Sequence, residues 1–222
     1  LHEPIFITGC ARSGTSLVAR CVKASGAAGG TLILGDSNNP HGFFENAAIR
    51  EKLIKPALIA NGCDPLGQDP LPDPEDPITT IPDLRKKVQS ILQAEGVDLA
   101  KPWFYKCAKI HLMWRAWHGE FPDAKYIIVR RSEAMIVDSC LRTGFMQRHL
   151  NATGWFGWVR YQLARFAEMR DSGLNVKEVW SDKLIAGDYS ELKDALEWAG
   201  LTFDPEIIKS CIDPAIWTRG IK

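Results

Sequence analysis

The chain has 222 residues, a mass of 24.8 kDa and balanced charge, with 27 Lys plus Arg against 27 Asp plus Glu. That balance argues against a generic nucleic-acid binder, which shows a basic excess, yet leaves room for a local cationic pocket that takes a small polyanion. No run of ~18 apolar residues is present to span a membrane, and Leu1-His2-Glu3-Pro4 carries neither the basic nor the apolar part of a signal peptide.

Apolar runs alternate with helical patterns along the chain, which predicts an α/β fold with a central parallel sheet and crossover helices in one domain over residues 1–222. Residues 4–8 read as a short buried strand ending at Gly9, and residues 15–25 as a helix stopped by Gly26. A small-residue loop leads to the brief apolar run 31–34, and residues 45–61 have helical composition. Residues 64–82 hold six prolines, a density no helix or central strand tolerates. This segment is a long loop, either a lid over a binding cleft or a plain surface excursion. A helix is expected over 83–95, a strand over 103–107 and a helix over 111–118. The clearest strand is 125–129, followed by a helix over 133–143 with Ser132 suited to its N-cap. A long helix over 155–172 and a strand over 176–180 come next; Asp188 with Glu191 has the form of a capping box opening a last helix that ends at Gly200. The six cysteines have no C-x-x-C pair and mostly sit in apolar runs, which predicts reduced thiols and a cytoplasmic setting.

The chemistry begins where the first strand runs into Gly9-Cys10-Ala11-Arg12-Ser13-Gly14-Thr15-Ser16. Glycines flanking a four-residue gap let the backbone curl its N–H groups inward, and the next helix adds its free N–H groups and positive dipole end. Such a loop holds phosphate or a similar oxyanion. It is not a Walker A loop: Thr15 stands where that loop has Lys, and the positive charge lies inside the loop at Arg12. A P-loop kinase or NTPase is therefore the weaker reading; a module that holds a nucleotide without transferring anything is a third.

Gly9 to Leu17 resembles the 5′-phosphosulfate loop of the sulfotransferases, in its Pro-Arg-Ser-Gly-Thr-Ser/Thr version with Ala11 in place of Pro. The resemblance implies a three-layer P-loop-like fold and the donor 3′-phosphoadenosine 5′-phosphosulfate (PAPS), with 3′,5′-ADP (PAP) as product and no metal. It also implies a 3′-phosphate site made by an Arg at a strand end and a Ser eight residues on; Arg131 and Ser139 have that spacing after 126–129. Ser132-Glu133 depart from the residues common after this Arg. In the tail, Arg219-Gly220 resembles the basic loop that covers the 3′-phosphate in cytosolic members.

Sulfonate transfer needs a base for the acceptor's proton. Glu45, in Asn39-Pro40-His41-Gly42-Phe43-Phe44-Glu45, resembles the catalytic Glu of bacterial and tyrosylprotein-type members, and desolvation would raise its pKa from the ordinary ~4.3. His111, in Lys109-Ile110-His111-Leu112, resembles the base of cytosolic members; aligning strand ends places Ala108 there instead. His41 is a third candidate. Lys106, ending its strand, is either a ligand of the sulfonate or bridging oxygen or a plain surface Lys. Aromatic residues around 144–158 and the proline-rich loop are candidate walls for a small-molecule, saccharide or peptide acceptor. Trp158 and Phe166 read as core.

Overall fold

The computed structural model describes residues 1–36 and 39–213, so Arg219 lies outside the described residues. Four strands, β1 (Ile5–Gly9), β2 (Phe104–Lys106), β3 (Lys125–Arg130) and β4 (Asn175–Trp180), form a parallel sheet in the order β2-β1-β3-β4. Ile5 lies opposite both Phe104 and Lys125, and Gly9 opposite Val129. β1 is buried along its whole length, as a continuous apolar run in a two-sided sheet requires.

Strand alternation sends side chains into two cores. Phe6, Tyr105, Tyr126 and Ile128 meet one face with α4 (Leu84–Ala94), α5 (Trp114–Glu120), α6 (Glu133–Arg142) and α7 (Ala152–Asp171). Ile5, Ile7, Ile127, Val129 and Val179 meet the other with α1 (Thr15–Ala24), α8 (Ser181–Ile185), α9 (Ser190–Trp198) and α10 (Pro205–Cys211). The result is helix, sheet and helix in three layers. Phe6 anchors the first core with edge contacts to Trp117 (4.8 Å) and Phe121 (5.4 Å).

Several local expectations shift. The predicted 45–61 helix starts later, at α2 (Ala47–Ile49), because Asn46 caps it by accepting the N–H of Ile49. It then widens into a π-helical turn (Arg50–Ile54) before α3 (Lys55–Ala60); Pro56, which has no N–H to donate, follows that turn. The 111–118 helix opens as a 3-10 turn over Ile110–Met113. Ser132 stands at the N-cap of α6, but its side chain makes no cap bond; its own N–H is held by the Asp182 carboxylate at 2.9 Å. The Asp188–Glu191 capping box does not form. Asp188 holds the N–H and hydroxyl of Ser190, while Glu191 turns back to the Trp180 N–H and Lys183. α10 was not predicted, although Asp204 followed by Pro205 is a helix-start signal and Asp204 does cap it. All six cysteines are free and buried.

The proline-rich loop is neither a bare excursion nor a free flap. Trp158 donates its indole N–H to the Gly67 carbonyl (2.9 Å), Gln68 donates to the Phe145 carbonyl (2.7 Å), and Tyr161 donates to the Pro72 carbonyl. Ile78 and Ile81 are buried in the first core.

Candidate active site

Strand order changes direction at β1, so its carboxyl end opens a crevice between neighbours whose connections diverge; such switch points are where open parallel sheets bind ligands. The loop from Gly9 to Ser16 fills that point. A Cβ on Gly9 would lie 2.5 Å from the Val129 carbonyl oxygen and 2.8 Å from Ser13 Oγ, so only glycine lets the chain turn there. Arg12 holds a left-handed φ of 71°, a conformation that costs a non-glycine residue roughly 1–2 kcal/mol and that concentrates at functional loops. Ser13 donates its N–H to the Cys10 carbonyl, and its buried hydroxyl has no hydrogen-bond partner among the described residues. α1 starts at Thr15 with no acidic residue in its first turn, so nothing there offsets its positive dipole end.

The second motif joins the first. Arg12 Nε donates to Ser139 Oγ at 3.0 Å, and Arg131 Nη1 donates to the Arg12 carbonyl at 3.0 Å. Arg130 takes the other direction, pairing with Glu178 (2.8 Å) over the Trp180 ring. Thus Arg131, not Arg130, faces the site. Burial pushes the guanidinium pKa down at both Arg12 and Arg131, the mark of cations whose solvation is incomplete.

A cavity of about 470 Å³ opens here. It is lined by Ala11, Arg12, Gly14, Thr15, Ser16, Glu45, Lys106, Arg131 and Ser139, all expected from the sequence. Gly9, Cys10 and Ser13 form the buried part of the same loop. Eight Lys and Arg side chains line the cavity against two carboxylates among the described residues, Glu45 and Asp213. A chain with no net charge has therefore gathered a strong local excess of cations, which favours a multiply charged anion.

Glu45 is placed by the segment before it. Ile33 donates its N–H to the Glu45 carbonyl (2.9 Å) and Ala47 to the Thr31 carbonyl (3.2 Å), so the 31–34 run pairs with the stretch around Glu45. Asn39 Nδ2 donates to the Gly42 carbonyl (2.7 Å) and to Ser16 Oγ (3.1 Å), and Ser16 donates to the Phe43 carbonyl (3.1 Å). These bonds tie the Asn-Pro-x-Gly segment to the start of α1. The Glu45 carboxylate sits 3.2 Å from Lys106 Nζ and 3.5 Å from Arg50. Lys106 is 3% exposed, a buried ion-pair partner rather than a surface Lys. The expected rise in the Glu45 pKa is reversed. Burial does push it up, but Lys106, Lys109 and Arg50 outweigh burial and hold it at about 2.

His111 lies away from the cavity lining, fully buried beneath the loop. Its Nδ1 bonds Thr8 Oγ1 at 2.8 Å, its Nε2 meets Gln162 Oε1, and Phe166 packs edge-on against the ring. Burial lowers its pKa to about 4. Both ring nitrogens are engaged by core groups, Thr8 and Gln162, so the ring is turned away from the cavity lining. His41 does line the cavity, exposed and 3.2 Å from Asp213. The sequence reading missed Lys109, Arg50 and Asn39; the usable signal was a second Lys three residues beyond the carboxyl end of β2.

A four-stranded parallel sheet with a glycine loop and a cation-lined cavity at its carboxyl edge places the chain in the P-loop-like class of α/β proteins. A family model described as "Sulfotransferase family" matches residues 4–205, and the chain belongs to that family. No curated protein gives a match. Among solved structures, the chain is similar to the sulfotransferase domain of the Synechococcus PCC 7002 olefin synthase, with a TM-score of 0.57 and 16% identity over 99% of this chain and 88% of that one. It is also similar to the sulfotransferase STF9 from Mycobacterium avium, with a TM-score of 0.61 and 14% identity over 95% and 67% of the two chains. A sulfotransferase from Alicyclobacillus acidocaldarius gives 0.53 and 13% over 99% and 100%. At these identities the likeness is one of fold.

Proposed function

We propose that the protein transfers a sulfonate group from PAPS to a hydroxyl or amine of a small-molecule, saccharide or peptide acceptor. The observation that carries this reading is the joining of two oxyanion sites in one cavity: the Gly9–Ser16 loop and the Arg131–Ser139 pair, bridged by Arg12, with Glu45 and Lys106 on the same lining. The buried Ser13 hydroxyl, unpartnered among the described residues, suits a tetrahedral anion on the loop. PAPS supplies an activated sulfonate. The acceptor oxygen or nitrogen bonds to sulfur as the bond from sulfur to the 5′-phosphate oxygen breaks, and the acceptor's proton passes to Glu45. Lys106 meets the negative charge left on the phosphate, and Arg12 with the start of α1 holds the charge spread over the transferring oxygens. Arg131 and Ser139 hold the 3′-phosphate.

A thermal-shift panel of PAPS, PAP, ATP and GTP tests the donor. PAP at 100 times its Kd should stabilise the protein by ~2.7 kcal/mol, with ATP and GTP well behind. Stabilisation by ATP or GTP without PAP would overturn the assignment. Arg131→Ala should weaken PAP ~10–100-fold, the worth of a charge-assisted bond of ~1.5–3 kcal/mol, and leave adenosine 5′-phosphosulfate, which lacks the 3′-phosphate, little affected. Equal losses for the two ligands would move Arg131 out of the 3′-phosphate site.

Metal independence is a further expectation. The described residues contain no group of three His, Cys, Asp or Glu placed to hold a metal, and the loop lacks the Lys-Ser/Thr end that accompanies magnesium in NTPases. Turnover should persist in excess EDTA; a complete loss restored by magnesium would favour kinase-like chemistry.

A further inference from the structure

One buried cation is left over from the proposed transfer. Lys109 is 8% exposed and lines the cavity. Burial alone would lower its pKa, but Cys107 and Glu45 raise it above the ordinary value, so it is charged. None of the ion pairs among the described residues includes it. Glu45, whose charge it feels, is already held by Lys106 at 3.2 Å and Arg50 at 3.5 Å. A charged ammonium on the cavity wall, in none of those ion pairs, is placed to bind an anionic ligand.

The surroundings say which ligand. The Lys109 stem packs on the proline-rich loop: a Cβ at Gly67, whose φ is +72°, would come 3.1 Å from Lys109 Cγ. Gly67 is fixed in turn by the Trp158 indole. The adjoining lining is apolar, with Leu66 from this loop and Phe145 and Met146 beyond α6, joined through the bond from Gln68 to the Phe145 carbonyl. The donor ligands Arg12, Arg131 and Ser139 bond one another and belong to other segments. Lys109 therefore lines the cavity on the wall that the proline-rich loop builds, within electrostatic reach of Glu45.

We infer that the acceptor itself carries an anionic group, a carboxylate, phosphate ester or sulfate ester, which Lys109 binds near the reacting hydroxyl while Leu66, Phe145 and Met146 cover an apolar part of the molecule. This rests on the sulfotransferase reading, and the test separates the two. Protein saturated with PAP is titrated with 4-hydroxyphenylacetate, 4-hydroxyphenyl phosphate and 4-hydroxyphenyl sulfate, each compared with neutral 4-methoxyphenol by calorimetry. At least one anion should bind ten-fold or more tighter than 4-methoxyphenol. Lys109→Met should erase that preference and Lys109→Arg retain part of it, both with the PAP affinity of the original protein. If no anion exceeds 4-methoxyphenol in the unmodified protein, or if Lys109→Met weakens PAP as much as the anion, the inference is overturned. A protein that fails to bind PAP at all would instead defeat the sulfotransferase reading, whatever the phenols do.

Discussion

Glu45→Gln is expected to lower kcat by ~10²–10⁴, the usual worth of a positioned general base, while PAP affinity stays equal or improves. Gln keeps the shape and removes the basicity. It also releases Lys106, which in the free protein spends its charge on Glu45 at 3.2 Å. The low pKa, about 2, is a property of that resting arrangement. On the proposed mechanism Lys106 turns to the leaving phosphate oxygen, so that the largest downward pull on Glu45 is shared with the donor and its basicity should rise. On the same mechanism the proton would be released late, once the forming bond to sulfur has made the acceptor hydroxyl strongly acidic. Two readouts separate this from a purely structural role. First, the free protein should lose stability in Glu45→Gln, because breaking a buried pair leaves Lys106 uncompensated at a cost of ~3–5 kcal/mol, and PAP should restore part of it. Second, kcat/KM reports groups in the free enzyme, so Glu45 should give no acid limb near neutrality. PAP affinity falling in step with kcat would reduce Glu45 to a holder of Lys106.

Much of the site was legible because its residues sit at strand ends, where local sequence fixes position. Gly9 to Ser16 follows a buried strand and opens a helix, and Arg131 with Ser139 spans the end of β3 and two turns of α6. The alternation of strands and helices gave the layered α/β architecture for the same reason. What was not legible depends on segments far apart in the chain. The direction of the Glu45 pKa shift is set by Arg50, Lys106 and Lys109, from a π-helical turn, a strand end and the loop after it. No composition or spacing rule predicts that these three converge on one carboxylate. Asn39 was visible within a motif, yet its task, bonding Ser16 across 23 residues, is a tertiary fact. The capping box failed for a related reason: Glu191 found better partners in the Trp180 N–H and Lys183.

His111 illustrates the same limit and supplies the second large effect. Its context, Lys109 to Leu112, resembles a catalytic pattern, but the chain enters a 3-10 turn at Ile110 and turns the ring inward, under β1. There it braces Thr8, the residue before the glycine loop, and is held at a pKa of about 4. Above pH 6.5 the imidazole is neutral in both folded and unfolded chains, and its contribution to stability is complete. As pH falls through 6.5, the unfolded chain takes up a proton that the folded core refuses, and stability drops until about pH 4. The gap between the two pKa values corresponds to about 3 kcal/mol, of which about 2 should be lost between pH 7 and pH 5, above the range where Glu45 titrates. Urea unfolding at a series of pH values checks this. His111→Asn should be less stable at pH 7, since Asn cannot reach both Thr8 and Gln162, but its stability should fall about 2 kcal/mol less than that of the original protein between pH 7 and 5. Its kcat, measured where it is folded, should stay within a few-fold. An unchanged acid slope would remove His111 from the buried neutral state, and a loss of kcat as large as that of Glu45→Gln would return the base to His111.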